Sequence, residues 1–192
     1  INRKFGDLLP FNYQYEQSAV IYRILAQADT QYSSWLHENG YLLHERKRFK
    51  LFCYSPFIFE KVKPLPEAGC LNIIGEKVVW YISFIPEKST FEFIQGIFAH
   101  QSFTIGNKEH RVAFDVIGVE AMSMPQLTEQ MAFQAMSPIC VKLHEENKTQ
   151  YLSPDNPMFA DGILKGLKAR YESIHGQPFD ICLLYTSPSP RD

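Results

Sequence analysis

Residues 70–98 read CLNIIGEKVVWYISFIPEKSTFEFIQGIF, and this stretch decides the fold. Two runs rich in β-branched and aromatic residues, Cys70 to Ile74 and Lys77 to Phe84, flank Gly75-Glu76, a pair suited to a hairpin turn. Pro86 then ends the second strand, because proline brings no amide hydrogen to a ladder. Beyond it Phe91, Phe93, Ile94, Ile97 and Phe98 fall at the spacing of an amphipathic helix.

Upstream, Val20, Ile21, Ile24, Leu25 and Ala28 form a stripe of period 3.6 within residues 16–28. Asp29 or Thr30 can cap a second short helix carrying Tyr32, Trp35 and Leu36, which Gly40 can end. Phe49 to Tyr54 reads as a strand. Downstream, His110 to Ala121 returns to a β pattern. The order is helix, strand, strand, helix, strand. One more strand at the front completes β-α-β-β-α-β, the α+β ferredoxin-like (RRM-like) arrangement, over residues 1–122. That first strand is expected to be missing, the Arg3-to-Leu9 stub being all that could belong to its end.

Residues 123–131 read as a linker. Phe133 to Leu143 is strand-like, followed by Gln150-Tyr151-Leu152 and a helix from about Asn156 to Ser173. A strand and then a helix would begin a second domain of the same kind over residues 132–181. Residues 182–192 resemble one translated frame of a common sequencing-library transposase adapter. They are set apart from the fold as a non-native tail. Ile1 in place of Met points to a start cut off upstream.

With 45% hydrophobic and 14% aromatic residues the chain can build a packed core. Its longest apolar runs are strand-length, well short of the ~20 residues that cross a bilayer, so no membrane association is expected. The net charge of −2 argues weakly against nucleic acid if taken globally, but residues 44–50 gather Arg46, Lys47, Arg48 and Lys50 against one anion. Such a patch suits a solvated loop or a grip on phosphates. Cys53, Cys70, Cys140 and Cys182 lie far apart, the pattern of reduced, mostly buried thiols in a cytoplasmic protein. His44, His100, His110, His144 and His175 show no metal-ligand spacing, and no metal or cofactor is expected.

A tyrosine, a histidine and a lysine, such as Tyr22, His37 and Lys50, would suffice to cleave RNA without a metal. Two groups move protons to and from ribose oxygens, and a cation holds the extra phosphoryl charge. Each also has a duller role. A helix tyrosine beside Ile21 and Ile24 is ordinarily a core residue. A histidine near a helix C-terminus is ordinarily a surface residue favoured by the dipole, and a lysine at a strand start ordinarily faces solvent.

Five pieces of wording occur in one order: Pro10-Phe11-Asn12-Tyr13-Gln14-Tyr15, Ile21-Tyr22, Leu36-His37 with Gly40-Tyr41, Phe49-Lys50-Leu51-Phe52 with Tyr54-Ser55, and Met136-Ser137-Pro138-Ile139. Together they resemble the CRISPR-associated endoribonucleases that process precursor CRISPR RNA at its repeats, a group within the RAMP superfamily serving antiviral defence. The resemblance covers residues 1–181 and is strongest over 8–60 and 133–175. It implies two ferredoxin-like domains and a catalytic set of Tyr22, His37 and Lys50. The family's C-terminal glycine-rich motif has no counterpart here. The implied reaction is attack by a ribose 2′-hydroxyl on its own phosphate, leaving a 2′,3′-cyclic phosphate and a 5′-hydroxyl. Tyrosine is a poor base at its free pKa of about 10 unless a cation such as Lys50 lowers it, so the acid and base roles of Tyr22 and His37 stay open.

Arg46, Lys47 and Arg48 would hold RNA through its phosphates. The implied partners are precursor repeat RNA and subunits of a CRISPR effector complex. The alternative is a non-catalytic RNA-binding scaffold of the same fold. With a strand and most of a second domain absent, the chain by itself is expected to be poorly active.

Overall fold

The computed structural model describes residues 1–43, 47–145 and 148–179. In chain order the elements are β1 (Asn2–Phe5), β2 (Leu8–Pro10), α1 (Gln14–Ala28), α2 (Thr30–Glu38), β3 (Tyr41–Leu43), β4 (Lys47–Phe49) and β5 (Phe52–Tyr54). Then come β6 (Ile58–Phe59), β7 (Val62–Leu65), a 3-10 turn at Pro66–Ala68, β8 (Cys70–Ile73), β9 (Val78–Val79) and β10 (Ile82–Phe84). The chain continues through α3 (Glu87–Ala99), β11 (Ser102–Gly106), β12 (Arg111–Asp115), β13 (Val141–Glu145), β14 (Lys148–Leu152) and α4 (Met158–His175). Among the described residues no helix is long and apolar enough to cross a membrane.

Two compact units emerge. The first comprises Ile1–Glu38 and Leu51–Pro138. Its strands follow the antiparallel ferredoxin-like order in two three-stranded sheets: β12 beside β1 with β11 added outside β12, and β8 between β2 and β7. The strand expected to be missing is therefore supplied by the stub itself. β1 and β2 take the central place, divided by a positive-φ turn at Gly6. A Cβ on Gly6 would collide with the Arg111 carbonyl, so the break admits only glycine at that spacing. The stub looks too short in sequence because that turn interrupts its alternation.

Gly75-Glu76 is not a hairpin turn. The turn sits at Pro66–Ala68, closed by Gly69 at φ 61°. Two long arms run away from it, each cut into three pieces: Leu65 faces Cys70, Phe59 faces Val78, and Phe52 faces Phe84. Pro66 pre-sets the turn and Gly69 supplies the left-handed residue, which outweighs the local appeal of Gly75. The strand read across residues 49–54 is likewise divided, at Leu51 with φ 56°. The β pattern from His110 narrows to β12, and its partner β11 begins as early as Ser102.

α1 and α3 lie close together through Gly96, where a Cβ would run into the Ile24 carbonyl. Val20, Ile21, Ile24 and Leu25 of α1 pack with Phe93 and Ile97 of α3, and Leu9, Ile105, Val112 and Phe114 complete the core. Asp29 caps α2 as expected, its Oδ1 accepting from the Tyr32 amide at 2.8 Å. Only Cys70 of the described cysteines is buried. Cys53 and Cys140 are exposed, against expectation.

The second unit gathers Asn39–Lys50 with residues from Ile139 onward. The β3–β4 hairpin pairs Tyr41 with Phe49 and Leu43 with Lys47, and β13 pairs with β14. α4 packs on β3 and β13. Gly40, at φ 64°, closes the hairpin base, since a Cβ there would lie 2.6 Å from the Phe49 carbonyl oxygen. The hairpin, expected within the N-terminal domain, thus associates with the C-terminal elements. The strand read over 133–143 starts only at Val141. Residues 116–140 form neither helix nor strand, and Pro125 and Pro138 there remove amide donors. The tail at 182–192 lies outside the described residues.

Candidate active site

Helix periodicity turns Tyr22 away from the fully buried pair Ile21 and Ile24, leaving its ring half-buried beside β5. α2 folds back on α1 and brings His37, in its last turn, to that ring. The centroids are 4.9 Å apart at 83°, an edge-to-face pair. Phe52 of β5 also meets the Tyr22 ring edge-to-face, at 5.7 Å and 77°. His37 itself is exposed, so the pair opens to solvent on the histidine side.

Burial is the main influence on the Tyr22 hydroxyl, and nearby Tyr54 adds to it. Together they push its pKa up to about 12. A buried phenolate would be poorly solvated, and a second phenolate beside it would repel it. The sequence reading considered a cation lowering this pKa; the shift instead runs upward. Tyr22 is consequently a phenol, a proton donor, across the physiological range.

Tyr54 is a neighbour that the sequence reading named only as motif wording. Its hydroxyl donates to the Gln14 carbonyl at 2.9 Å, and burial raises its own pKa. It stacks with Phe52, whose centroid lies 6.3 Å away. The alternation of Phe52 and Tyr54 on β5 was the available signal, since a period of two sends both to one face.

The proposed cations lie in the second unit. Lys47 and Arg48 are exposed on β4, and strand alternation sends them to opposite faces of the hairpin. Lys50 follows β4, partly buried, and burial first and Arg48 second lower its pKa. Arg170 of α4 stands 5.3 Å over the Phe49 ring, a further cation beside this hairpin that the sequence reading missed. Arg46 lies outside the described residues. The structure thus brings Tyr22 and His37 together in one unit and sets Lys47, Arg48 and Lys50 together in the other. Among the described residues no group of three or more His, Cys, Asp or Glu side chains gathers as metal ligands would.

Residues 8–114 match the family described as CRISPR-associated protein Cas6, N-terminal, and residues 122–191 match CRISPR-associated protein Cas6, C-terminal. A relative named CRISPR-associated endoribonuclease Cas6 1, from Methanocaldococcus jannaschii, is 26% identical over 178 residues, 91% of this chain. The chain spans 64% of that relative's length. A solved structure described as a Cas6-related gene product from Pyrococcus furiosus superposes with a TM-score of 0.75 at 23% identity, covering 93% of this chain and 70% of that one. Another, described as an RAMP protein binding different RNA substrates, gives 0.72 at 26% identity with the same coverage.

Proposed function

Because the chain belongs to the Cas6 family of CRISPR-associated proteins, we propose that Tyr22 and His37 are the proton-transfer pair of an endoribonuclease that cuts CRISPR repeat RNA without a metal. The single observation that carries this reading is the Tyr22–His37 ring pair with the phenol kept protonated. His37 takes the proton from the ribose 2′-hydroxyl. The 2′-oxygen bonds to the adjacent phosphorus, the bond to the 5′-oxygen breaks, and Tyr22 protonates the departing 5′-oxygen. The products are a 2′,3′-cyclic phosphate and a 5′-hydroxyl. A phenol of pKa about 12 is still far more acidic than a sugar alcohol, so it can donate. As a base it would rarely hold the required charge.

The resemblance implies Lys50 as a cation for phosphoryl charge, and Arg46, Lys47 and Arg48 as grips on RNA phosphates. The described resemblance to an RAMP protein that binds RNA also fits a second reading, an RNA-binding scaffold that does not cleave.

One assay separates the two. The protein is incubated with repeat RNA in excess chelator. Cleavage that persists in chelator and disappears with a 2′-deoxy sugar at the cut site supports the enzyme. His37→Ala is expected to slow it by about 100-fold or more, the ordinary contribution of a positioned acid or base. Cleavage by His37→Ala within a few-fold of the unaltered protein defeats the assignment. RNA binding with no cleavage leaves the scaffold.

A further inference from the structure

We propose that Ser33 is a positioning residue, which fixes the His37-bearing helix to the backbone of Tyr22 and so sets the geometry of the ring pair. This rests on the catalytic reading above and adds to it a residue that touches neither RNA nor the moving protons.

The Ser33 Oγ donates to the Tyr22 carbonyl oxygen at 2.8 Å. That carbonyl lies in the middle of α1, where helix geometry assigns one lone pair to the amide four residues on. Ser33 occupies the other lone pair. A serine inside a helix ordinarily bonds the carbonyl one turn back on its own helix. Here the Asp29 carbonyl accepts the Ser33 amide at 3.0 Å, while the hydroxyl crosses to α1. Ser33 is only 6% exposed, so water competes little for that bond.

Spacing makes the bond relevant to chemistry. Ser33 and His37 are four residues apart on α2 and share one face. A hydrogen bond one turn from His37 therefore anchors α2 on the same residue whose ring His37 meets at 4.9 Å. α2 has nine residues, too few to hold a direction alone. Buried Leu36 docks it through apolar contacts, which are non-directional and permit sliding, while the Tyr32 hydroxyl hydrogen-bonds Ser89 of α3. The Ser33 bond supplies direction toward α1 and Tyr22.

Ser33→Ala and Ser33→Thr test this in the intact protein. Alanine favours helix more than serine does, so loss of α2 cannot account for a defect in Ser33→Ala. The first readout is the proton shift of the His37 ring, assigned by its loss in His37→Gln, with Tyr22→Leu as the reference lacking the aromatic ring. Ser33→Ala should move this resonance clearly toward the Tyr22→Leu position, and Ser33→Thr, which keeps the hydroxyl, should restore it. The second readout is cleavage of repeat RNA. Ser33→Ala should lower kcat about tenfold, with KM within twofold, the pattern of a misplaced group in place of a lost contact. An unmoved His37 resonance overturns the proposal, and so does a moved resonance with kcat unchanged. If His37→Ala cleaves normally, the catalytic reading fails, and the resonance alone then decides whether Ser33 sets the pair.

Discussion

Tyr22 shows how burial can choose between two chemical roles for one side chain. With its pKa pushed up to about 12, the phenol keeps its proton where a free tyrosine would have begun to lose it. If the donor role holds, cleavage by Lys50→Arg, whose guanidinium keeps its charge where a lysine of lowered pKa would lose it, should stay level from pH 8 to 10 and decline only toward 12. A decline centred below 10 in that variant would mean that Tyr22 titrates as an ordinary tyrosine. Adding Tyr22→Phe should lower the rate by about 100-fold or more up to pH 10 and abolish that alkaline limb. Stability carries the same sign. A group whose folded pKa lies above its unfolded value contributes fully below about 10 and loses the contribution as pH rises through the folded value. Denaturation midpoints measured from pH 9 to 12 should fall with pH, and fall less steeply in Tyr22→Phe. The sequence could nominate Tyr22 and His37 through their wording, yet not this shift, which depends first on burial and then on Tyr54. Nor could it reveal Ser33, because a hydroxyl crossing between helices leaves no mark in a helical repeat.

At the scale of elements, the helices were legible and the strand pairings were not. Apolar period and the Asp29 cap located α1 and α2 because both signals are local. The long hairpin misled at Gly75, because its true turn depends on how two far-reaching arms pair in space. Leu51 misled in the same way: it is 6% exposed at φ 56°, a conformation that its side chain does not favour and that its neighbours impose. The stub at residues 2–10 could not be recognised as a central strand until its partners β12 and β8 were known. Gly96 offers a test at this scale with a diagnostic sign. In an exposed helix, Gly→Ala stabilises by about 0.5–1 kcal/mol. At Gly96 the added methyl meets the α1 backbone at Ile24, so Gly96→Ala should instead destabilise by about 1–3 kcal/mol in urea unfolding. A gain in stability would show that α1 and α3 do not approach through this glycine.

Across the whole molecule, the net charge of −2 conceals a local concentration of cations that composition alone does not show. Association of residues 39–50 with the C-terminal elements gives that concentration a folded support: a hairpin closed at Gly40 and packed against α4. The sequence showed the charges but assigned the loop to the N-terminal domain, since contacts between residues a hundred positions apart are invisible to a local pattern. If Lys47 and Arg48 each engage one phosphate, RNA binding should weaken steeply with salt, each contact releasing counterions. Whichever of Lys47→Ala and Arg48→Ala removes such a contact should lower affinity at low salt and reduce the slope of log K against log salt by about 0.7–0.9. Because the two side chains face opposite sides of β4, a single flat phosphate track would not serve both. Equal slope losses would require the RNA to wrap the hairpin edge, whereas a loss at one residue alone would identify the face on which it runs. Unchanged slopes in both variants would remove the hairpin from the RNA path, and kcat at saturating RNA should remain unchanged in either case.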